Sequence, residues 1–144
     1  MDAEAISIEK EQTFLEMVHK VQRIEVVAAV AVKNHGLLPM AVATGSRRRQ
    51  AELVLEQIGL AHLFDAVVCA EDCSTHKPEP EIYLIAAKAL GVEPGLCLVY
   101  EDTDPGIEGA SRAGMACIDV RSLRTPGEIS KAALGIRKME EQQE

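Results

Sequence analysis

From Leu37 onward, short apolar runs alternate with segments of helical period. Leu37–Ala43 is a continuous apolar run, the pattern of a strand buried on both faces. Arg47–Ile58 has helical spacing and stops at Gly59. Ala66–Ala70 reads as a second strand, Glu81–Leu90 as a helix stopped by Gly91, and Leu96–Tyr100 as a third strand. Pro105–Ala113 reads as a helix with Asp104 as its N-cap, Pro105 in its first turn and Gly114 as its stop. Met115–Val120 is a fourth strand, Ser130–Met139 a last helix, and Glu140–Glu144 a polar end. Strand–helix alternation at this spacing means βαβ units, whose right-handed crossovers give a parallel sheet between two layers of helices.

The upstream part is helical in pattern. Phe14, Leu15, Val18 and Val21 recur at helical spacing within residues 4–23. Ile24–Val32 is rich enough in Val and Ile for a strand, but its Ala content, its length and the stop Asn34-His35-Gly36 favour a helix. Residues 1–36 are therefore expected to form a helical segment ahead of an α/β core at 37–144.

Composition sets bounds on partners. With 144 residues one domain is expected, and with four aromatic residues and no Trp its core must be aliphatic. The net charge of -8 opposes nucleic acid or an anionic membrane as principal partner. It leaves room for a small phosphate, because a site can be locally positive on a negative body. The longest nearly apolar stretch, Val26–Val32, is too short to span a bilayer. Met1-Asp2-Ala3-Glu4 is acidic, unlike the start of a signal peptide. Cys69, Cys73, Cys97 and Cys117 form no CxxC pair, and no His stands at zinc-ligand spacing from Cys69 and Cys73. Reduced, packed thiols in a cytoplasmic protein are expected.

Three segments carry candidate chemistry, each at a predicted strand end, where parallel α/β sheets bind ligands. In the first, Thr44 ends a strand and Gly45-Ser46 opens a helix. A threonine hydroxyl and helix-start amides can hold phosphate oxygens there, or Ser46 simply caps the helix. Arg47, Arg48 and Arg49 follow, cations where the helix dipole disfavours them, which fits a nearby anion or a solvated basic face. In the second, Lys77 precedes Pro78, which restricts its backbone. A fixed ammonium suits a phosphate or a carboxylate that must stay ionised, though an ordinary surface lysine would look the same. His76 beside it is placed to touch a substrate or to be merely solvated. In the third, Glu101 and Asp102 follow Cys97-Leu98-Val99-Tyr100, and adjacent carboxylates there suit a hard divalent cation such as magnesium.

Taken together, Ala43-Thr44-Gly45-Ser46, Lys77-Pro78 with Pro80, and Glu101-Asp102 with Gly106-Ile107 make the chain resemble the haloacid dehalogenase superfamily, nearest to its β-phosphoglucomutase-like and sugar-phosphatase members. Gly59-Leu60, Phe64-Asp65, Gly91-Val92, Ala113-Gly114-Met115 and Asp119-Val120-Arg121 continue the pattern from about Leu37 to Leu123. The resemblance implies a three-layer Rossmann-like fold. It implies that Thr44, Gly45 and Ser46 bind the transferring phosphoryl group. Lys77 would neutralise it and act in catalysis, and Glu101 and Asp102 would help hold Mg2+. It implies a sugar phosphate or similar small phosphorylated metabolite as substrate.

The chain departs from that pattern in one respect. The superfamily attacks phosphorus with an Asp in an N-terminal Asp-x-Asp strand, and here the one Asp-x-Asp is Asp102-Thr103-Asp104. By resemblance, the missing strand is central, between the strand ending at Thr44 and the strand ending at Asp102. The helix within residues 4–23 resembles the last helix of a cap domain. A truncated, incomplete core and little turnover by this chain alone are expected. Val26–Val32 could replace the strand, or a second chain, as homodimer or complement, could cover the gap. The alternatives in function are a non-catalytic, self-associating protein and one half of a split phosphatase.

Overall fold

The computed structural model describes residues 10, 12–125, 127–129, 131–132 and 135–136. Between helical residues near either end of the described body, the chain runs α1 (Glu25–Asn34), β1 (Ala41–Ala43), α2 (Arg48–Gln57), β2 (Ala66–Val68), α3 (Glu81–Leu90), β3 (Leu98–Glu101), α4 (Asp104–Arg112) and β4 (Ala116–Asp119). All strand pairing is parallel, and helices lie on both faces, so the expected α/β architecture is present.

The sheet is in two halves. β1 pairs with β2, and β3 pairs with β4, with no ladder joining β1 to β3. The expected gap between the strand leading to Thr44 and the strand leading to Asp102 is therefore a slot that no strand among the described residues fills. Its consequence is visible in burial. Ala41, Val42 and Ala43 are only half-buried, where a strand with neighbours on both edges would be sealed. Leu98 is exposed, and Val99 and Tyr100 are half-buried.

Side-chain alternation along β1 divides the core into two layers. Ala41 and Ala43 join Val99 and Cys117 against α3 and α4, where Ile82, Tyr83, Ala86, Ala87 and Ala110 are buried. Met40 and Val42 face the other way, against Ala28 and Ala31 of α1 and Leu55 of α2. α3 forms because its apolar residues Ile82, Tyr83, Ala86 and Ala87 fall on one face, and Gly91 ends it in the left-handed region at φ 67. Full burial of Ile82 alone is worth about 2 kcal/mol. α3 packs on β1 and β2 and also on α4, which packs on β3 and β4, so this helix pair ties the half-sheets together beneath the slot.

Several boundaries differ from the sequence reading. The first described helix covers residues 12–17, passes into a 3-10 turn at Val18–Lys20 and leaves 21–24 non-helical, so it ends short of residue 23. Residues 4–9 of that expectation lie outside the described residues. Val26–Val32 is part of helix α1 and does not replace the missing strand. Leu37 and Leu38 are not in a strand, because their amides donate to Asn34 O and close the end of α1 around Gly36 at φ 77. Leu96, expected to begin the third strand, instead ends a 3-10 turn at Pro94–Leu96, and the second strand gives way to another at Ala70–Asp72. Asp104 is not the N-cap of α4. Thr103 is, with φ -128 and ψ 149, its hydroxyl accepting from Gly106 N at 3.1 Å. Of the last expected helix, residues 131–132 and 135–136 are described and helical, and the remainder lies outside the described residues.

Candidate active site

The carboxyl ends of β1 and β3 are brought together by one side chain. Lys77 Nζ donates to Ala43 O at 3.3 Å and to Glu101 Oε1 at 2.8 Å. Ala43 is the last residue of β1 and Glu101 the last of β3, so the ammonium stands across the mouth of the slot. The ring of Tyr83 lies under it, 5.3 Å from the ring centre to Nζ. The Lys77–Pro78 peptide is cis.

Glu101 is 8% exposed, the buried charge of the core. It is fully engaged. Besides Lys77 it accepts the Asp102 amide at 3.2 Å and the Thr103 hydroxyl at 3.3 Å, both on Oε2. Gly106 makes room for it, since a Cβ there would come within 2.0 Å of Oε2. The same glycine's carbonyl accepts the buried Tyr83 hydroxyl at 2.9 Å, which joins α3 to α4. Burial and the Glu101 charge both push the Tyr83 hydroxyl far above its ordinary range, so it stays a donor. Burial, then Glu101, push the Cys117 thiol up to about 11, which makes it a packed thiol with no nucleophilic character at neutral pH.

Thr44 follows β1 directly. Its amide donates to Val68 O at 2.9 Å, and its hydroxyl oxygen accepts from Ser46 N at 3.1 Å. Ser46 does not cap α2 with its side chain, because Arg47 is the N-cap residue. The Glu71 carboxylate caps α2 instead, accepting the Arg48 amide at 2.9 and 3.1 Å. Asp72 accepts from the Arg48 guanidinium at 2.5 Å. These acids are the nearby anions of Arg48 and of the start of α2. They stand 23 and 24 residues away in the chain, so no local pattern announced them.

The sequence-predicted residues thus divide. Lys77 and Glu101 are in contact, and Thr44, Gly45 and Ser46 lie beside them, following the β1 residue whose carbonyl Lys77 holds. A cavity of about 210 Å³ has Gly45, Thr75, His76 and Lys77 in its wall, so it joins the first two segments and places His76 at the site. Asp102 is exposed, and its carboxylate makes no hydrogen bond or ion pair with another described residue. The two acids are therefore unlike. Glu101 is a partner of Lys77, whereas Asp102 is an open oxygen donor. Among the described residues no group of three or more His, Cys, Asp or Glu could hold a metal ion. An Asp102 carboxylate with waters and a phosphate oxygen fits magnesium, which binds through one or two carboxylates, but the set here is incomplete. Sequence reasoning missed Glu71, Asp72, Tyr83 and Thr103 as supports of the site. Of these, Thr103 had a signal, as a hydroxyl two residues ahead of Pro105.

The likeness to known proteins agrees with this geometry. A family model for haloacid dehalogenase-like hydrolases matches residues 4–114. The fructose-1-phosphate phosphatase YqaB of Escherichia coli is 42% identical over 125 residues, 85% of this chain and 65% of that protein. The validoxylamine A 7'-phosphate phosphatase of Streptomyces hygroscopicus is 32% identical over 127 residues, 88% of this chain and 54% of that one. The chain thus spans less than two thirds of either relative. Among solved structures, β-phosphoglucomutase from Clostridium difficile matches with a TM-score of 0.74 at 22% identity, covering 92% of this chain and 67% of that one, a likeness of fold. A haloacid dehalogenase hydrolase from Entamoeba histolytica matches with a TM-score of 0.73 at 29% identity, covering 88% of this chain and 59% of that one. With its parallel half-sheets and its strand-end threonine, lysine and acids in order, the chain belongs to the haloacid dehalogenase-like hydrolase family.

Proposed function

We propose that this chain is the phosphate-holding part of a phosphatase-type hydrolase acting on small phosphorylated metabolites such as sugar phosphates, and that it does not turn over alone. The observation that carries this reading is the Lys77 ammonium, fixed between Ala43 O and Glu101 beside the Thr44-Gly45 corner. The Thr44 hydroxyl and the Gly45 amide take phosphoryl oxygens, and Lys77 offsets their charge, as a preorganised cation does best where water is restricted. Glu101 holds Lys77 in place and in its charged form. Asp102 is the residue here that would hold Mg2+. When bound, the metal would screen phosphoryl charge, and it would need ligands beyond those of the described residues. The attacking carboxylate has no candidate at the slot among the described residues, so it too would come from elsewhere. The printed activities of YqaB and of the Streptomyces phosphatase, both toward phosphorylated small molecules, support the substrate class.

A second reading is a non-catalytic protein that associates through its surface. It is favoured by apolar exposure: Leu37 is 75% and Leu96 81% exposed. A third is one half of a split phosphatase, favoured by the open slot itself.

Calorimetric titration with inorganic phosphate and magnesium tests the leading reading. Saturable binding that weakens about tenfold or more in Thr44→Val and in Lys77→Met, a loss of ~1.4 kcal/mol each, is the expected result. No phosphate binding by the native chain would overturn it.

A further inference from the structure

Tyr83 is buried, yet three parts of it meet the machinery around Lys77. The ring lies under the ammonium, 5.3 Å from Nζ to its centre. The hydroxyl donates to Gly106 O at 2.9 Å. The ring edge lies against Gly109, where an added Cβ would stand 2.9 Å from Cε2. A ring held at its hydroxyl and at its edge does not swing away from Nζ without breaking a hydrogen bond or displacing α4.

Gly109 receives more than the ring. The same Cβ would stand 3.2 Å from Pro78 O and 3.4 Å from Glu79 O. Those carbonyls belong to the two residues after Lys77, so the loop that carries the lysine is seated on α4 at this glycine. Residues three apart on a helix are surface neighbours, and three positions earlier Gly106 admits the Glu101 carboxylate, the ion partner of Lys77. One face of α4 thus receives the loop of Lys77, the ring beneath its ammonium and its counter-ion. Glycine within a helix is destabilising relative to alanine, and α4 carries two in 9 residues. The close approaches at both positions account for them.

We infer that Tyr83 is the positioning residue of Lys77: its ring, seated against Gly109 of α4, fixes where the ammonium stands. The inference deepens the phosphatase reading, since it assigns a residue to the same site, and it rests on that reading only for what Lys77 holds. The ring acts in two ways. Its negative face attracts the ammonium, an attraction that grows where water is excluded, and the Lys77 side chain is only 19% exposed. The ring also restrains a flexible four-carbon stem, so less order is imposed when an anion arrives. An ammonium has three donors. Ala43 O and Glu101 take two, which leaves one for a phosphoryl oxygen. The hydroxyl ties the ring to α4 and does not itself touch Lys77, so phenylalanine keeps what leucine loses.

Side-chain NMR of the full chain, with titration of inorganic phosphate beside it, tests this. Protons above an aromatic face resonate upfield, so the Cε protons of Lys77 should stand upfield of those of the other lysines. Their signal is identified by its absence in Lys77→Arg. Tyr83→Phe should keep both the displacement and the phosphate affinity. Tyr83→Leu should abolish the displacement and weaken phosphate binding about fivefold. Gly109→Ala keeps the ring but not its seat, so it should reduce the displacement. Urea unfolding shows which variants are folded, and if Tyr83→Leu is not, Gly109→Ala and Tyr83→Phe decide the matter. An undisplaced Lys77 signal in the native chain, or a displacement unchanged in Gly109→Ala or surviving in Tyr83→Leu, overturns the inference. Equal loss of phosphate binding in Tyr83→Phe and Tyr83→Leu would also overturn it, in favour of the hydroxyl. A Lys77 signal that behaves as expected in a chain that binds no phosphate would uphold the positioning role and remove the phosphatase reading.

Discussion

Lys77 Nζ and Glu101 Oε1 stand 2.8 Å apart across a sheet that has no hydrogen bonds between its halves. This pair does at the mouth of the slot what a strand would do along its length. It joins the second and third chemical segments, as the Lys77–Ala43 contact joins the first and second. Neither side chain is more than a fifth exposed, so the pair is weakly screened.

Lys77→Met should therefore destabilise the chain by roughly 3–5 kcal/mol, because it leaves a buried carboxylate uncompensated. Adding Glu101→Gln should recover more than half of that loss. Urea denaturation of the two variants checks this. If the double variant is no more stable than the single one, the charge on Glu101 is not the cause.

Gly106→Ala acts on the same pair from the other side. The new Cβ would lie 2.0 Å from Glu101 Oε2 and 2.1 Å from its Cδ, so the carboxylate must leave its place. Overpacking of this kind costs about 1–3 kcal/mol. The expected outcome is that loss together with weaker phosphate binding. A stable variant with unchanged phosphate affinity would show that the Glu101 position is not required.

Tyr83→Phe removes the hydroxyl that α3 offers to Gly106 O. The carbonyl keeps its place in the α4 hydrogen-bond ladder but loses this second donor, at a cost of about 0.5–1.5 kcal/mol. Thermal unfolding measures it. A loss near zero would mean that water replaces the hydroxyl.

Glu81 sets part of the acid limb of stability. Its carboxylate accepts amides from Ser74 and Thr75 and the Thr75 hydroxyl, which hold its carboxyl below the usual range. A depressed folded value means stabilisation that is fully present above the unfolded carboxylate range. It is lost as pH falls through the folded value. Glu81→Gln should lower the urea midpoint at neutral pH and flatten its decline below about pH 4.5, the ordinary value for Glu. Parallel acid limbs in the two proteins would exclude this role.

Much of the fold was legible because apolar period and Gly stops are local signals. α1 ends around Gly36, and α3 ends at Gly91, as their patterns indicate. The missing neighbour of β1 was legible from resemblance, because Thr44, Lys77 and Asp102 fixed the order of strands around it. What the sequence hid was non-local or a choice between equals. Leu37 and Leu38 look like strand residues, but their amides close α1. Thr103 and Asp104 both have capping chemistry, and the backbone conformation chose Thr103. Glu101 and Asp102 look like twins, yet one meets a lysine 24 residues away and the other meets solvent.

The proposed reading is a phosphate-holding half-site with no nucleophile among the described residues. Its most direct test is phosphate release by the purified chain, supplied with fructose 1-phosphate and other sugar phosphates in the presence of magnesium. The account predicts binding without release above the uncatalysed rate. Release that Asp102→Ala abolishes would contradict it.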